Sequence, residues 1–166
     1  MGVMASRISD MNATELERHV SAGRLDEPEI LEVLRNPFCT VEVAELVASR
    51  QQWMTSHVVR ERLAGFRGFP HARAVNLMAT LPWTSLLVLA QLPATPPPLR
   101  RHAERKLIGR VPRLTLGEKI ALARRAHRPL FHALRASRDQ EVLVAMLDNP
   151  RMVENDILVL LNTGAP

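Results

Sequence analysis

The sequence has no tyrosine, a single cysteine and few aromatic residues, which make up 4% of its 166 residues. Cys39 has no second cysteine with which to form an intramolecular disulfide, so we expect a reducing, cytoplasmic compartment. Long apolar runs are also missing. No aliphatic run is longer than that from Leu86 to Ala90, which is much shorter than the ~20 residues of a membrane-spanning helix, so we expect no membrane span.

Sequence motifs that carry catalytic chemistry do not occur either. There is no HExxH, G-x-S-x-G, P-loop, dinucleotide-binding or EF-hand pattern. The histidines are scattered along the chain, whereas a metal site needs several ligands close together. Cys39 has no neighbouring base in the sequence that would activate it as a nucleophile. We therefore expect a protein that is not an enzyme, with no catalytic residue, no cofactor and no metal.

Strand signals are nearly absent, and helical signals occur throughout the chain. No Asn-Gly or Asp-Gly hairpin turn is found, and no segment alternates cleanly between apolar and polar residues. Between prolines and glycines lie blocks of about 9 to 12 residues with apolar side chains at helical spacing. The sequence predicts an all-α protein of about 10 to 11 short helices. Asn12, Thr40 and Thr115 are the predicted N-caps of three of them, and Thr115 forms a capping box with Glu118.

A run of three prolines, residues 96–98, interrupts the helical pattern in the middle of the chain. Because proline lacks the amide hydrogen that a helix interior needs, the run predicts a stiff connector with the next helix starting near Leu99.

Two stretches of the sequence resemble each other at an offset of 113 residues, starting at Ile30 and Leu143. Both have the order helix, Asn-Pro turn, helix. They are identical at three paired positions: Leu34 and Leu147, Asn36 and Asn149, Pro37 and Pro150. Weaker versions are centred on Pro82 and Pro129, and the spacings of 45 and 47 residues from Pro37 to Pro82 and on to Pro129 fit the ~40 to 47 residues of HEAT or armadillo units.

With these turn prolines, its paired amphipathic blocks and the segment LTLGEKIALARRA, the chain resembles a short HEAT-like α-solenoid over roughly residues 27–162. It also resembles degenerate bacterial helical-repeat proteins of the leucine-rich-repeat-variant type. The resemblance implies a short right-handed α-solenoid of HEAT-like helical hairpins. We expect one such domain over residues 12–162, with a flexible N-terminal tail (1–11) and a C-terminal tail (163–166). The alternative is a compact, non-repetitive helical bundle.

Positive charge is concentrated in one part of the chain. Residues 100–138 contain 12 of the 22 lysines and arginines but only two of the 17 acidic residues. Residues 139–166 contain five acidic residues and a single arginine. We predict a binding surface formed by basic residues of the central segment and one tryptophan that we expect to be partly exposed: Arg100, Arg101, Arg105, Lys106, Arg124, Arg125, Arg128 and Trp53.

The basic segment has two interpretations. It is either a solvated face paired with acidic residues of the last helices, or a surface that binds anionic partners. The acidic candidates are Asp139, Glu141, Asp148, Glu154 and Asp156.

The helical-repeat resemblance favours a non-catalytic adaptor or scaffold that binds a protein partner. The alternative is a nucleic-acid-binding module that neutralises backbone phosphates. A HEAT-like DNA glycosylase ranks last because no catalytic acid can be named. The apolar helix that begins near Ile157 is also compatible with a homodimer.

Overall fold

A computed structural model of the chain describes residues 8–162, with the backbone alone at 160–162. Within this range the regular structure is helical and no strand occurs, which confirms the predicted all-α class. Residues 13–162 form twelve α-helices and one 3-10 turn. The helices are α1 (Ala13–Ser21), α2 (Glu27–Val33), α3 (Val41–Ser49), α4 (Gln51–Met54), α5 (His57–Ala64), α6 (His71–Thr80), α7 (Trp83–Gln91), α8 (Pro97–Arg110), α9 (Leu116–Ala123), α10 (Arg128–Arg135), α11 (Gln140–Leu147) and α12 (Glu154–Asn162). The 3-10 turn, Val111–Arg113, follows α8.

Side-chain caps start many of these helices where the sequence places them. Asn12 and Thr115 each accept a hydrogen bond from the amide three residues later, and the glutamate at that position bonds back to the cap amide. Asp26 makes the same reciprocal pair at the start of α2. Thr40 accepts from the Val43 amide at the start of α3. Each cap satisfies amides that have no partner inside the helix, so the predicted helix starts are confirmed.

The triple proline differs from the prediction. Helix α8 begins at Pro97 rather than near Leu99, so two prolines lie in its first turn. The first amides of a helix have no intrahelical acceptor, and proline at these positions therefore removes no hydrogen bond. The connector before α8 is therefore shorter than predicted.

The chain divides into two compact units, Met1–His102 and Ala103–Pro166, where the sequence predicts a single domain over residues 12–162. In the first unit, α1 packs against α3, α2 against α5, and α5 against both α6 and α7. In the second, α9 and α10 both pack against α11. The largest fully buried side chains are aliphatic in both units, among them Leu16, Ile30, Leu63 and Leu86 in the first and Leu107 and Leu122 in the second.

The two Asn-Pro turns detected in the sequence have the same hydrogen-bond geometry. Asn36 is 7% exposed and its Nδ2 donates to the Ile8 carbonyl at 2.8 Å, while its Oδ1 accepts from the amide two residues later at 2.7 Å. Asn149 is 3% exposed and its Nδ2 donates to the carbonyls of Ala123 and Ala126 at 2.7 and 2.9 Å. Its Oδ1 also accepts from the amide two residues later, at 2.9 Å. In each unit a buried asparagine ties its own turn to backbone preceding it by more than twenty residues.

The other two prolines of the proposed series occupy different positions. Pro82 is the N-cap of α7, and Pro129 lies in the first turn of α10. The residues before them, Leu81 and Arg128, have no side-chain amide that could repeat the bonds of Asn36. These two prolines therefore start helices, whereas Pro37 and Pro150 lie within turns.

The expected N-terminal tail is wrong for residues 8–11. Ile8 is 1% exposed, and the carbonyls of Ser9 and Met11 also lie within 3.3 Å of the Asn36 amide nitrogen. This part of the chain is held because it covers the core and supplies acceptors to Asn36. Residues 1–7 of the expected tail, and the expected tail at 163–166, lie outside the described residues.

Candidate binding surfaces

Trp53 belongs to the core of the first unit. It lies in the short helix α4 and is 5% exposed, and its indole Nε1 donates to the Leu25 carbonyl at 3.0 Å. The preceding residue, Gln52, donates to the Gly23 carbonyl at 3.1 Å. Trp53 therefore fills space beside the α1–α2 loop and satisfies one of that loop's carbonyls. The prediction of a partly exposed contact residue is wrong, and we do not keep Trp53 in the proposed surface.

Helix α8 contains four of the predicted basic residues. Arg101 and Arg105 are exposed. Arg100 and Lys106 are half-buried. Arg100 and Arg101 belong to the first unit, and Arg105 and Lys106 to the second.

A second group of basic residues lies between α9 and α10. Arg124 is the C-cap of α9, and Arg125 follows it, both exposed. Positive charge at a helix C-terminus is favourable because the last carbonyls carry partial negative charge. Arg151, which lies outside the basic segment of the sequence, joins this group, since its Nη1 donates to the Arg125 carbonyl at 3.1 Å.

Arg128 lies in a different electrostatic setting. It is the first residue of α10, where the helix dipole disfavours a cation. Its Nε lies 3.1 Å from the Asp156 carboxylate, which offsets that unfavourable position. The Arg128 side chain is 66% exposed, so the pair contributes little to stability.

The acidic C-terminal segment neutralises part of the basic segment. Besides Asp156, Asp139 accepts a hydrogen bond from Lys119 at 3.0 Å, and this bond lowers the pKa of the Asp139 carboxyl. Glu141, Asp148 and Glu154 are exposed. Lys119 and Arg128 are thus paired with acidic residues of the C-terminal segment, and Arg124, Arg125 and Arg151 are exposed.

One histidine–carboxylate contact lies in the second unit. His127 Nε2 is 2.9 Å from the Glu104 carboxylate, which connects α8 to the residue that precedes α10. Across the part of the chain that the structure describes, no group of three or more histidine, cysteine or acidic side chains could hold a metal ion.

Exposed apolar side chains concentrate on the last helices of the second unit. Val144 and Leu147 on α11 are 53% and 48% exposed, and Leu158 on α12 is 52% exposed. Val153, in the connection between these helices, and Val159 are also exposed. We call these five residues the C-terminal apolar surface. Beside it, Phe131, Met146 and Met152 line a cavity of about 230 Å³ together with Arg128 and Arg135.

Among the described residues, none of the helices is both long enough and apolar enough to span a membrane. Comparison of the chain with protein-family models, with curated proteins and with solved structures gives no match.

Proposed function

We propose that the protein is a non-catalytic adaptor that binds a protein partner through the C-terminal apolar surface, on a short right-handed α-solenoid of HEAT-like hairpins. The exposure of five large aliphatic side chains on two consecutive helices and their connection carries the proposal. Isolated exposed aliphatic residues are ordinary, but a group of them on neighbouring elements is typical of an interaction site.

The repeated Asn-Pro turn supports the solenoid architecture. Each asparagine is hydrogen-bonded to backbone 23 to 28 residues earlier, so it joins its turn to an earlier segment of the chain. Helices also pack against the next helix but one, as α1 does with α3 and α9 with α11. Both features are expected where helical hairpins stack in sequence and each contacts its neighbours.

The surroundings of the apolar surface favour a protein as its partner. Arginine is enriched at protein interfaces, and Arg128 and Arg135 line the adjacent cavity with Phe131 and two methionines. Such a surface fits an apolar helix of a partner protein. A second copy of this chain is the simplest partner to test.

The experiment compares the wild-type chain with a Val144→Asp and Leu147→Asp double variant. Both residues are half-exposed, so we expect unchanged circular dichroism and thermal unfolding, with at least a tenfold loss of partner binding. Light scattering after size-exclusion chromatography measures self-association, and cross-linking in cell extract followed by mass spectrometry identifies other partners. Phe38→Asp is the matched control, because Phe38 is 59% exposed but lies in the first unit. Equal binding by the double variant would contradict the proposal.

A nucleic-acid-binding module is the second candidate, favoured by the group of Arg124, Arg125 and Arg151 in the second unit. Fluorescence anisotropy with labelled duplex and single-stranded DNA tests it at low and at physiological salt. If these arginines neutralise phosphates, log affinity falls by ~0.9 per phosphate against log salt on duplex DNA. An Arg124→Gln and Arg151→Gln double variant then has a slope smaller by about 2. Absence of binding at low salt would rule this candidate out.

A further inference from the structure

The first unit contains a groove of about 820 Å³ that the basic segment does not reach. It is lined by the turn after α2, the end of α5 with the following loop, and the proline-rich segment before α8. Three arginines from separate parts of the sequence line it, Arg35, Arg62 and Arg67, and no acidic residue does. Its volume lies within the range of small-molecule binding sites, which is roughly 300–1,000 Å³.

The arginines differ in depth. Arg35 and Arg67 are exposed, whereas Arg62 is half-buried and its Nη2 donates to the Leu34 carbonyl at 3.3 Å. The Nε of Arg62 is buried and has no hydrogen-bond partner among the described residues. Burial and then repulsion from Arg35 lower the pKa of Arg62. The groove therefore holds positive charge in a partly desolvated position.

The cysteine of the groove does not neutralise this charge. Cys39 lines the groove close to Arg62, but burial raises the pKa of its thiol to about 11, although the nearby guanidinium acts in the opposite direction. At neutral pH the group is an uncharged thiol. Its Sγ is 3.8 Å from the Thr40 carbonyl, as expected of a weak donor rather than of a thiolate.

The rest of the lining is largely apolar. Phe66, Pro37, Pro93 and Pro96 contribute rings that are rigid and carry no side-chain charge. Rigid apolar walls with a few convergent cationic groups are typical of sites that bind a small organic anion. The walls would contact the organic part of such a ligand, and the guanidinium groups its charged part.

We propose that this groove binds a small organic phosphate monoester, with Arg35, Arg62 and Arg67 as its anion-binding residues and the Phe66 ring against the organic group. A monoester carries a charge of about −1.5 to −2 at neutral pH, so one group offsets the repulsion between two guanidinium groups. Guanidinium groups also match phosphate oxygens with paired hydrogen bonds. This site is separate from the C-terminal apolar surface and does not depend on the adaptor proposal.

Isothermal titration calorimetry of the full chain with phenyl phosphate tests the proposal. We expect a Kd of about 0.1–1 mM, which is usual for a ligand of this size. An Arg35→Gln and Arg67→Gln double variant removes two positive charges at exposed positions, so we expect it to fold normally and to bind at least tenfold more weakly. The matched control is Arg18→Gln with Arg24→Gln, which removes the same charge from exposed positions of the first unit outside the groove. We expect the control to change the Kd by less than about twofold.

Related compounds identify what the groove recognises. Inorganic phosphate should bind at least about tenfold more weakly than phenyl phosphate because it makes no contact with the apolar walls. Benzoate should also bind more weakly because it carries a single negative charge. Equal binding of benzoate and phenyl phosphate would overturn the assignment to phosphate. Equal binding of inorganic phosphate and phenyl phosphate would overturn the claim that the apolar walls contact an organic group. No heat with millimolar phenyl phosphate, or the same loss in both double variants, would overturn the site itself.

Discussion

Replacement of Asn36 by alanine tests how much the Asn-Pro turn stabilises the first unit. The Asn36 amide nitrogen lies 2.8, 3.3 and 3.2 Å from the carbonyl oxygens of Ile8, Ser9 and Met11, but it has only two hydrogens to donate. Its Oδ1 accepts a further bond from the Phe38 amide. A net hydrogen bond contributes about 1 kcal/mol, and a buried carbonyl left without a donor costs about 1–3 kcal/mol. We therefore expect Asn36→Ala to lower the free energy of unfolding by about 2–4 kcal/mol.

Urea unfolding followed by circular dichroism at 222 nm measures this change. Asn76→Ala is the control, because Asn76 is exposed within α6 and alanine is the better helix former, so the change stays within about 0.5 kcal/mol of wild type. Asn36→Asp separates the two functions of the side chain. The aspartate retains an acceptor for the Phe38 amide but places a carboxylate opposite three carbonyl oxygens. At pH 7 it should lower the free energy of unfolding at least as much as alanine does. Wild-type stability of Asn36→Asp would refute the assignment of the stabilising effect to the donated bonds.

Three further predictions concern buried groups of the first unit. Thr95 is fully buried and its Oγ1 has no hydrogen-bond partner among the described residues. Thr95→Val should therefore raise the free energy of unfolding by about 1–2 kcal/mol in the same urea assay. A lower free energy of unfolding would instead indicate that the hydroxyl is hydrogen-bonded through water. Trp53→Phe leaves the Leu25 carbonyl without its donor and should cost about 1–3 kcal/mol, measured by thermal unfolding; an unchanged melting temperature would contradict this. Burial raises the pKa of the Cys39 thiol from 9.0 to about 11, so the folded state holds this proton more tightly than the unfolded state. The resulting contribution to folding stability is complete below pH 9.0 and is lost as the pH rises through 11. Between pH 8 and 10.5 the wild type should therefore lose more stability than Cys39→Ala, and an equal loss in both would count against a buried neutral thiol.

Local rules were sufficient to predict the helices from the sequence. A cap such as Thr115 with Glu118 involves residues within one helical turn, so the pattern is visible without knowledge of the fold. The burial of Trp53 was not predictable in this way. Its indole bonds to a carbonyl 28 residues earlier, and only packing of α4 beside the α1–α2 loop reveals that acceptor.

The candidate sites show the same limit. The basic segment was visible because its charges are consecutive in the sequence, yet two of its members, Lys119 and Arg128, form ion pairs with the acidic segment. The arginines of the groove could not be recognised in the sequence, because Arg35, Arg62 and Arg67 are dispersed through a stretch of nearly balanced charge. They come together because the turn after α2 lies beside the end of α5, a contact between distant residues.

The buried asparagines have a consequence for how a chain of this kind tolerates change. Both donate to main-chain carbonyls, and every amino acid supplies a carbonyl whatever its side chain. The segment that accepts the bonds can therefore change its side chains at those positions, while the turn that donates them must keep its asparagine. The two donating stretches share Asn36 and Asn149 and few other identities. A helix followed by the turn Leu-x-Asn-Pro can thus bond to an earlier segment of almost any sequence.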